Sequence, residues 1–364
     1  MSFFLVDSGR EWRESQRQTL NVARELGRKG YAAHLILEPG SDILRRAADE
    51  GLPAIPLRMR GRLAWLVRRR LAGLMRSRRC RVVHVHDTLS ASLGLAAAAS
   101  AEVRVRVLSR PAGSSPLEGR LPLASLDAVI AGTEAVKSIL VQGGIAATAV
   151  EVVPPGVDFS PFTSEPPGDL VRRELGLAAG DFLAGAVLPL EDDLGQRALL
   201  EAAAIAAAQS PKIKVVVLGE GSLRLEAAAA GMPAMDNVRY LLGRRDRIPQ
   251  VLASLDMFVV FSHLDGLGSR LVEAMASGLP VAATDVGTAR DLIVNRENGF
   301  LVPARNAKAL ADAILKVQVD RNLAARLAAK GRETVLEKYS EEAMARRIVG
   351  VYEYRAHRKG IKLA

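Results

Sequence analysis

Short runs rich in Val, Ile, Leu and Phe alternate along the chain with longer stretches whose apolar residues recur every three or four positions. The first kind suits a strand buried on both faces, the second an amphipathic helix. In the first 160 residues the runs predict strands over Phe3–Asp7, Ala33–Glu38, Val82–Asp87, Arg104–Ser109, Leu126–Gly132 and Val150–Pro154. The helical period predicts helices over Glu14–Lys29, Asp42–Glu50, Leu63–Arg78, Ser90–Ala99 and Thr133–Gln142. The stretch Val153–Gly168 then holds five prolines and two glycines. That composition argues against helix and central strand and marks a linker.

After the linker the pattern restarts. Strands are expected over Phe182–Leu190, Lys214–Gly219, Val238–Leu242, Met257–Ser262, Val281–Thr284 and Phe300–Val302. Helices are expected over Gln196–Gln209, Leu223–Ala230, Ile248–Ala253, Ser269–Ser277, Ala307–Val317, Arg321–Lys338 and Glu341–His357. Alternation of this kind makes the fold class α/β, with two doubly wound parallel-sheet domains of Rossmann-like form. The boundaries expected are 1–160 and 169–340. Two such domains facing each other across a hinge would place a ligand cleft at their strand C-termini.

The length of 364 residues agrees with two domains at ~100–200 residues each. Hydrophobic residues at 49% and charged residues at 25% exclude a disordered or collagen-like chain. One cysteine, Cys80, forbids an internal disulfide and points to a reducing, cytoplasmic compartment. The longest apolar runs, such as Leu93–Ala99, fall short of the ~20 residues of a membrane span. The first residues lack the basic and apolar regions of a signal peptide.

The net charge of +10 is uneven. Residues 1–160 hold 23 Lys/Arg against 15 Asp/Glu, the remainder 27 against 25. The focus is Arg58–Arg81, with ten arginines and no acid. Trp65, Leu66, Leu71, Leu74 and Met75 interleave with them at helical spacing. Two readings stand: a solvated helix whose apolar stripe packs on the sheet, or a basic amphipathic helix resting on an anionic membrane surface. Aromatics at 4% leave few stacking platforms, so nucleic acid is not an expected partner.

The densest chemistry runs from Asn237 to Val302. A strand ends at Ser262, a loop with Gly266 and Gly268 follows, and a helix starts near Ser269. Glycines let backbone approach a ligand, and a helix N-terminus offers free N–H groups to an anion. Asp265 and Glu273 lie eight positions apart, and a carboxylate there can accept hydrogen bonds from the vicinal hydroxyls of a sugar or ribose. The competing reading makes Asp265 a helix cap and pairs Glu273 with Arg270.

This stretch resembles the donor-binding region of glycosyltransferase family 4, the retaining family with the two-domain GT-B fold. Asp265-x7-Glu273 stands in the place of the family's Glu-x7-Glu, followed by Ala274-Met275-Ala276-Ser277-Gly278-Leu279-Pro280-Val281 and Asn298-Gly299-Phe300-Leu301-Val302. Gly219-Glu220-Gly221, Val153–Asp158 and Val82–Asp87 extend the likeness over the whole chain. Trp12-Arg13-x-x-Gln16-Arg17-Gln18 resembles a bacterial branch that builds cell-surface polysaccharide.

The resemblance implies transfer of a sugar, with retention, from a nucleotide sugar to a glycan or lipid-linked acceptor of the cell envelope. It makes Glu273 the ribose ligand and sets Asp265 and His86 against the transferred sugar. The backbone of Gly266, Leu267, Gly268 and Ser269 would hold the diphosphate, and Arg245 to Ile248 would border the base. It implies no cofactor and no metal. The first domain would serve the acceptor, the second the donor, and the last helix, 341–364, would return to the first domain.

Three positions depart from the family pattern. Glu14-Ser15 replaces Gly-Gly in the first strand-to-helix loop, where Gly9 is the remaining flexible turn. Pro189 and Leu194 stand where Arg and Lys usually face the phosphates, with Arg197 the nearest substitute. Asp265 is one methylene shorter than Glu. A catalytically impaired relative that binds nucleotide sugar or a partner, and a nucleotide-sugar epimerase, are the alternatives. Elsewhere, His84 is expected to face the core and His86 the strand end; Arg79 and Arg81 beside Cys80 could lower its pKa, but no Cys–His–Asn arrangement supports a nucleophile.

Overall fold

The computed structural model describes residues 2–61, 63–111, 125–163, 169–187, 196–219, 236–242, 247–261 and 268–363. The chain divides into two units, Met1–Gly156 with Glu341–Ala364, and Val157–Ser340.

The first unit holds strands β1 (Ser2–Asp7), β2 (Ala32–Leu37), β3 (Ala54–Pro56), β4 (Cys80–Val85), β5 (Val105–Arg110), β6 (Ala128–Ala131) and β7 (Val150–Val152). They form one parallel sheet in the order β3-β2-β1-β4-β5-β6-β7. All six β1 residues are buried, as a central strand requires. Phe3 and Leu5 point to one layer of core, Phe4 and Val6 to the other. Helix Glu14–Arg28 packs on the first face with helix Glu341–Arg358, whose Met344, Ile348, Val349 and Tyr352 are buried there.

The short edge strand β3 escapes the sequence pattern because it has three residues and ends in a proline, which an edge tolerates. Helix Ala64–Ser77 buries Leu71, Ala72 and Met75. Its first turn does not follow: Leu63, Trp65 and Leu66 are 57%, 54% and 42% exposed. Cys80 is buried, and desolvation pushes its thiol up rather than down, so its arginine neighbours do not activate it.

The second unit holds β8 (Phe182–Val187), β9 (Ile213–Gly219), β10 (Val238–Leu242), β11 (Met257–Val260), β12 (Val281–Thr284) and β13 (Phe300–Val302). They are parallel, in the order β10-β9-β8-β11-β12-β13. The linker expectation needs correction. Val157 bridges to Ser340 and Phe159 is buried in the second unit's core, so that unit begins at 157. Ser160–Thr163 forms one helical turn despite Pro161, because a proline in the first turn gives up an N–H that has no helical partner. The expected helix Leu223–Ala230 lies outside the described residues.

Candidate functional site

In an open parallel sheet, ligands gather at strand C-termini where the strand order reverses. The first sheet reverses between β1 and β4, the second between β8 and β11.

At the first reversal β1 ends in Asp7 and β4 is followed by His86 and Asp87. The strand register aligns Val6 with Val85, and the His86 N–H donates to the Val6 carbonyl at 3.2 Å. Asp87 caps helix Thr88–Ser100 by accepting from the Ser90 N–H at 2.9 Å. The same carboxylate accepts from the Ser8 N–H at 2.8 Å and the Ser8 hydroxyl at 2.6 Å. One side chain therefore starts a helix and pins the loop that leaves β1. Asp7 holds that loop from beneath, accepting from the Gly9 N–H and Gln16 Nε2 at 2.8 Å each and from the Thr19 hydroxyl at 2.9 Å.

Gly9 is needed for this approach. A Cβ there would lie 2.0 Å from Gln16 Nε2 and 3.0 Å from an Asp7 oxygen. Asp7 is fully buried, and burial together with the nearby Asp87 charge raises its pKa to about 6.

His86 is 2% exposed, and neither ring nitrogen has a hydrogen-bond partner among the described residues. Burial lowers its pKa to about 3, so the ring is neutral and offers one donor and one acceptor. His84, two residues earlier on the same face, is the satisfied core histidine, between Tyr352 Oη at 2.5 Å and Ser109 Oγ at 2.9 Å. The two ring centroids lie 4.0 Å apart with their planes tilted by 42°. The contrast separates a structural histidine from one left open at a strand end.

At the second reversal, residues 188–195 after β8 and 262–267 before the next helix lie outside the described residues. Asp265, Gly266, Leu267, Pro189 and Leu194 fall there, and Arg245, in 243–246, is likewise outside the described residues. The helix that follows β11 begins at Gly268 and runs to Ala276. Gly268 is where two helices meet: a Cβ on it would come within 2.7 Å of Thr288. Ser269 is exposed in the first turn.

Glu273 is buried, and Arg270 one turn earlier donates to it at 2.6 Å. Burial raises its pKa while the Arg270 guanidinium pulls it down. The Ile248 side chain is 3% exposed and belongs to the core, leaving only its backbone for a ligand. Arg197 is exposed in the first turn of helix Gln196–Gln209. The Glu14 side chain lies outside the described residues.

Sequence reasoning missed Asp7 and Asp87. The available signals were an acid closing a wholly apolar strand and the Asp87-x-x-Ser90 capping pattern.

The model of Glycosyltransferase Family 4 matches residues 15–160, and that of Glycosyl transferases group 1 matches residues 169–334. The lipopolysaccharide core biosynthesis mannosyltransferase LpsB of Rhizobium meliloti is 35% identical over 136 residues, 37% of this chain and 38% of that enzyme's length. The D-inositol 3-phosphate glycosyltransferase of Xylanimonas cellulosilytica is 29% identical over 310 residues, 76% of this chain and 73% of its own. Among solved structures, HepE of Anabaena with UDP and glucose superposes with a TM-score of 0.65 at 20% identity, over 96% of this chain and 99% of that one. A glycosyltransferase of Rickettsia africae gives 0.73 at 18%, over 97% and 98%. Two parallel-sheet domains matched end to end in this way define the GT-B fold, and the chain belongs to the family 4 glycosyltransferases.

Proposed function

We propose that this protein transfers a glycosyl group from a nucleotide-sugar donor to a glycan or lipid-linked acceptor of the cell envelope, with retention at the anomeric carbon. The observation that carries the reading is His86: a buried, neutral imidazole with two unused nitrogens at the reversal of the first sheet. Sugar hydroxyls both donate and accept, which matches a neutral ring and would not match an imidazolium. Glu273 supports the donor side, since a carboxylate fixed by one arginine retains lone pairs for ribose hydroxyls. Relatives acting in lipopolysaccharide core synthesis agree with an envelope acceptor.

The reaction needs no cofactor or metal in this reading, because side-chain cations and helix N-termini neutralise the leaving diphosphate. Arg197 is the cation proposed to replace the arginine and lysine missing at Pro189 and Leu194. Gly9 gives the first loop its close turn, and the backbone from Gly266 to Ser269, with Arg245 and Ile248 at the base, completes the donor's surroundings.

The site of action is proposed to be the cytoplasmic face of an anionic membrane, reached through Arg58–Arg81. No helix among the described residues is long and apolar enough to cross a membrane. Exposed Leu63, Trp65 and Leu66 beside Arg68, Arg69 and Arg70 form the contact. Each such arginine near anionic lipid contributes about 1 kcal/mol.

The test is hydrolysis and transfer with UDP-, GDP- and ADP-sugars, with and without EDTA, reading the anomeric proton of the product. Release of nucleoside diphosphate from one donor, insensitive to EDTA, with a retained anomer is expected. Failure with every donor would leave a non-catalytic relative, and alteration of a free nucleotide sugar without acceptor would mean an epimerase.

A further inference from the structure

A hydrogen-bond relay crosses the first unit and ends in a small pocket. The Ser109 hydroxyl lies 2.6 Å from Gln18 Oε1, an atom that only accepts. The one hydroxyl hydrogen of Ser109 therefore goes to Gln18. His84 Nε2, 2.9 Å from the same oxygen, must then carry a hydrogen and donate it. His84 is neutral, because burial and the neighbouring His86 hold its pKa far down. Its Nδ1 is thus bare and accepts from the Tyr352 hydroxyl at 2.5 Å. Tyr352 sits on the last helix with no exposed surface.

With Gln18 Oε1 facing Ser109 the relay runs from Tyr352 through His84 and Ser109 to Gln18, an order that also gives the buried Tyr352 hydroxyl an acceptor, and the Nε2 hydrogens of Gln18 turn away from Ser109. Among the described residues those hydrogens meet only the Met344 sulfur, at 3.9 Å, and that weak acceptor already takes the Gly156 N–H at 3.1 Å. Gln18 and Met344 line a pocket with Ser15, Arg17, Pro111 and Pro155, at the C-terminal ends of β5 and β7.

We propose that Gln18 is a specificity-determining residue whose amide donates to one hydroxyl of an acceptor sugar lying across the mouth of this pocket, which itself has room for about one water-sized group. The inference rests on the glycosyl-transfer reading above. The lining chemistry favours a sugar over a phosphate. The Gln18 amide stands beside the apolar edges of Pro111, Pro155 and Met344, while the Ser15 hydroxyl, which donates to Gln16 Oε1 at 3.1 Å, can still accept; a hydroxyl that both donates and accepts suits that rim. The Arg17 charge is partly offset by Glu341, 3.7 Å away.

The side-chain amide resonance of Gln18 in the full-length protein, assigned by its loss in Gln18→Glu, reports the contact. The probes are the methyl α-glycosides of glucose, galactose, mannose and N-acetylglucosamine, with sodium phosphate as the anionic arm. At least one glycoside is expected to shift that resonance saturably. Gln18→Glu keeps an acceptor for Ser109, and so keeps the relay, but removes the donor. Binding followed at the Gly156 amide should weaken at least tenfold in it and in Gln18→Leu. Ser109→Ala, which frees the amide to rotate, should weaken it about threefold.

Absence of any glycoside shift, a shift with phosphate alone, or unchanged binding by Gln18→Glu would each overturn the proposal. Donor hydrolysis by the wild type is scored separately. Glycoside binding without hydrolysis defeats the catalytic reading alone, and hydrolysis without glycoside binding defeats this one alone.

Discussion

Asp7 shows what a single carboxyl group does when a sheet surrounds it. Its two oxygens accept from three donors, and the Thr19 hydroxyl faces both Asp7 and the Ser15 carbonyl, at 2.9 and 3.0 Å, with one hydrogen to share. Protonated Asp7 resolves this by donating to Thr19, which then donates to Ser15. That preference agrees with a pKa raised from 3.8 to about 6 by burial and by Asp87. A raised carboxyl pKa contributes stability that is fully present below pH 3.8 and is lost as pH rises through about 6. The rise corresponds to about 3 kcal/mol at ~1.4 kcal/mol per pH unit. Asp7→Asn carries a permanent donor in the same place. Urea melts should show the variant gaining on the wild type between pH 4 and 6 and holding that gain at pH 7; parallel pH profiles would refute the assignment. Glu273 is the counterpart in the second unit. Removing its charge in Glu273→Gln should cost about 1.5–3 kcal/mol of donor recognition, roughly 10- to 100-fold in kcat/KM for the nucleotide sugar, with thermal stability little changed. An unchanged kcat/KM would remove Glu273 from the site.

Helices in this chain divide their surfaces unevenly, and function follows the division. Helix Gly268–Ala276 buries Leu271 through Ala276, including Glu273, and packs Gly268 against Thr288, while Ser269 is exposed in its first turn. Helix Ala64–Ser77 buries its C-terminal half and exposes Leu63, Trp65 and Leu66 at its start. Arg68, Arg69 and Arg70 follow at once, exposed. In the proposed reading this exposed apolar turn and the arginines beside it meet anionic lipid. Pelleting with anionic vesicles is therefore expected to fall about 100-fold in Arg68/Arg69/Arg70→Ala, and to weaken at 1 M salt, where the Debye length is ~3 Å. Unchanged pelleting would assign this face to solvent.

At the scale of the molecule, the last 24 residues complete the first unit rather than trail behind the second. Helix Glu341–Arg358 buries Met344, Ala345, Ile348, Val349, Tyr352 and Ala356, and Tyr352 supplies the hydroxyl that His84 needs. A chain ending at Ser340 would expose that apolar face and orphan a buried imidazole. Such a truncation is expected to lose hydrogen-exchange protection in β1, β2 and β4 while β8–β13 keep theirs; retained protection in β1 would show that the helix is dispensable.

Much of this was legible in the chain as written. The apolar run Phe3–Val6 of β1 and the helical period of Glu14–Arg28 are local properties, set by the few geometries a backbone adopts and by which faces must leave water, so alternation of this kind along the chain predicted two parallel sheets. The acid at 273 and the glycine at 268 could be found from spacing alone. The Glu273–Arg270 pair, three residues apart, was one of the two readings the spacing allowed, and the structure shows it; that Gly268 meets Thr288, and that His84 has two partners while His86 has none among the described residues, depend on neighbours distant along the chain. For the two histidines, two residues apart on one face, the strand pattern predicts their places, the core for His84 and the strand end for His86, but not their partners. Only the packing of strands 1, 4 and 5 with the last helix gives one of them two partners and leaves the other open, because burial and hydrogen bonding are properties of a site in space and not of a residue type.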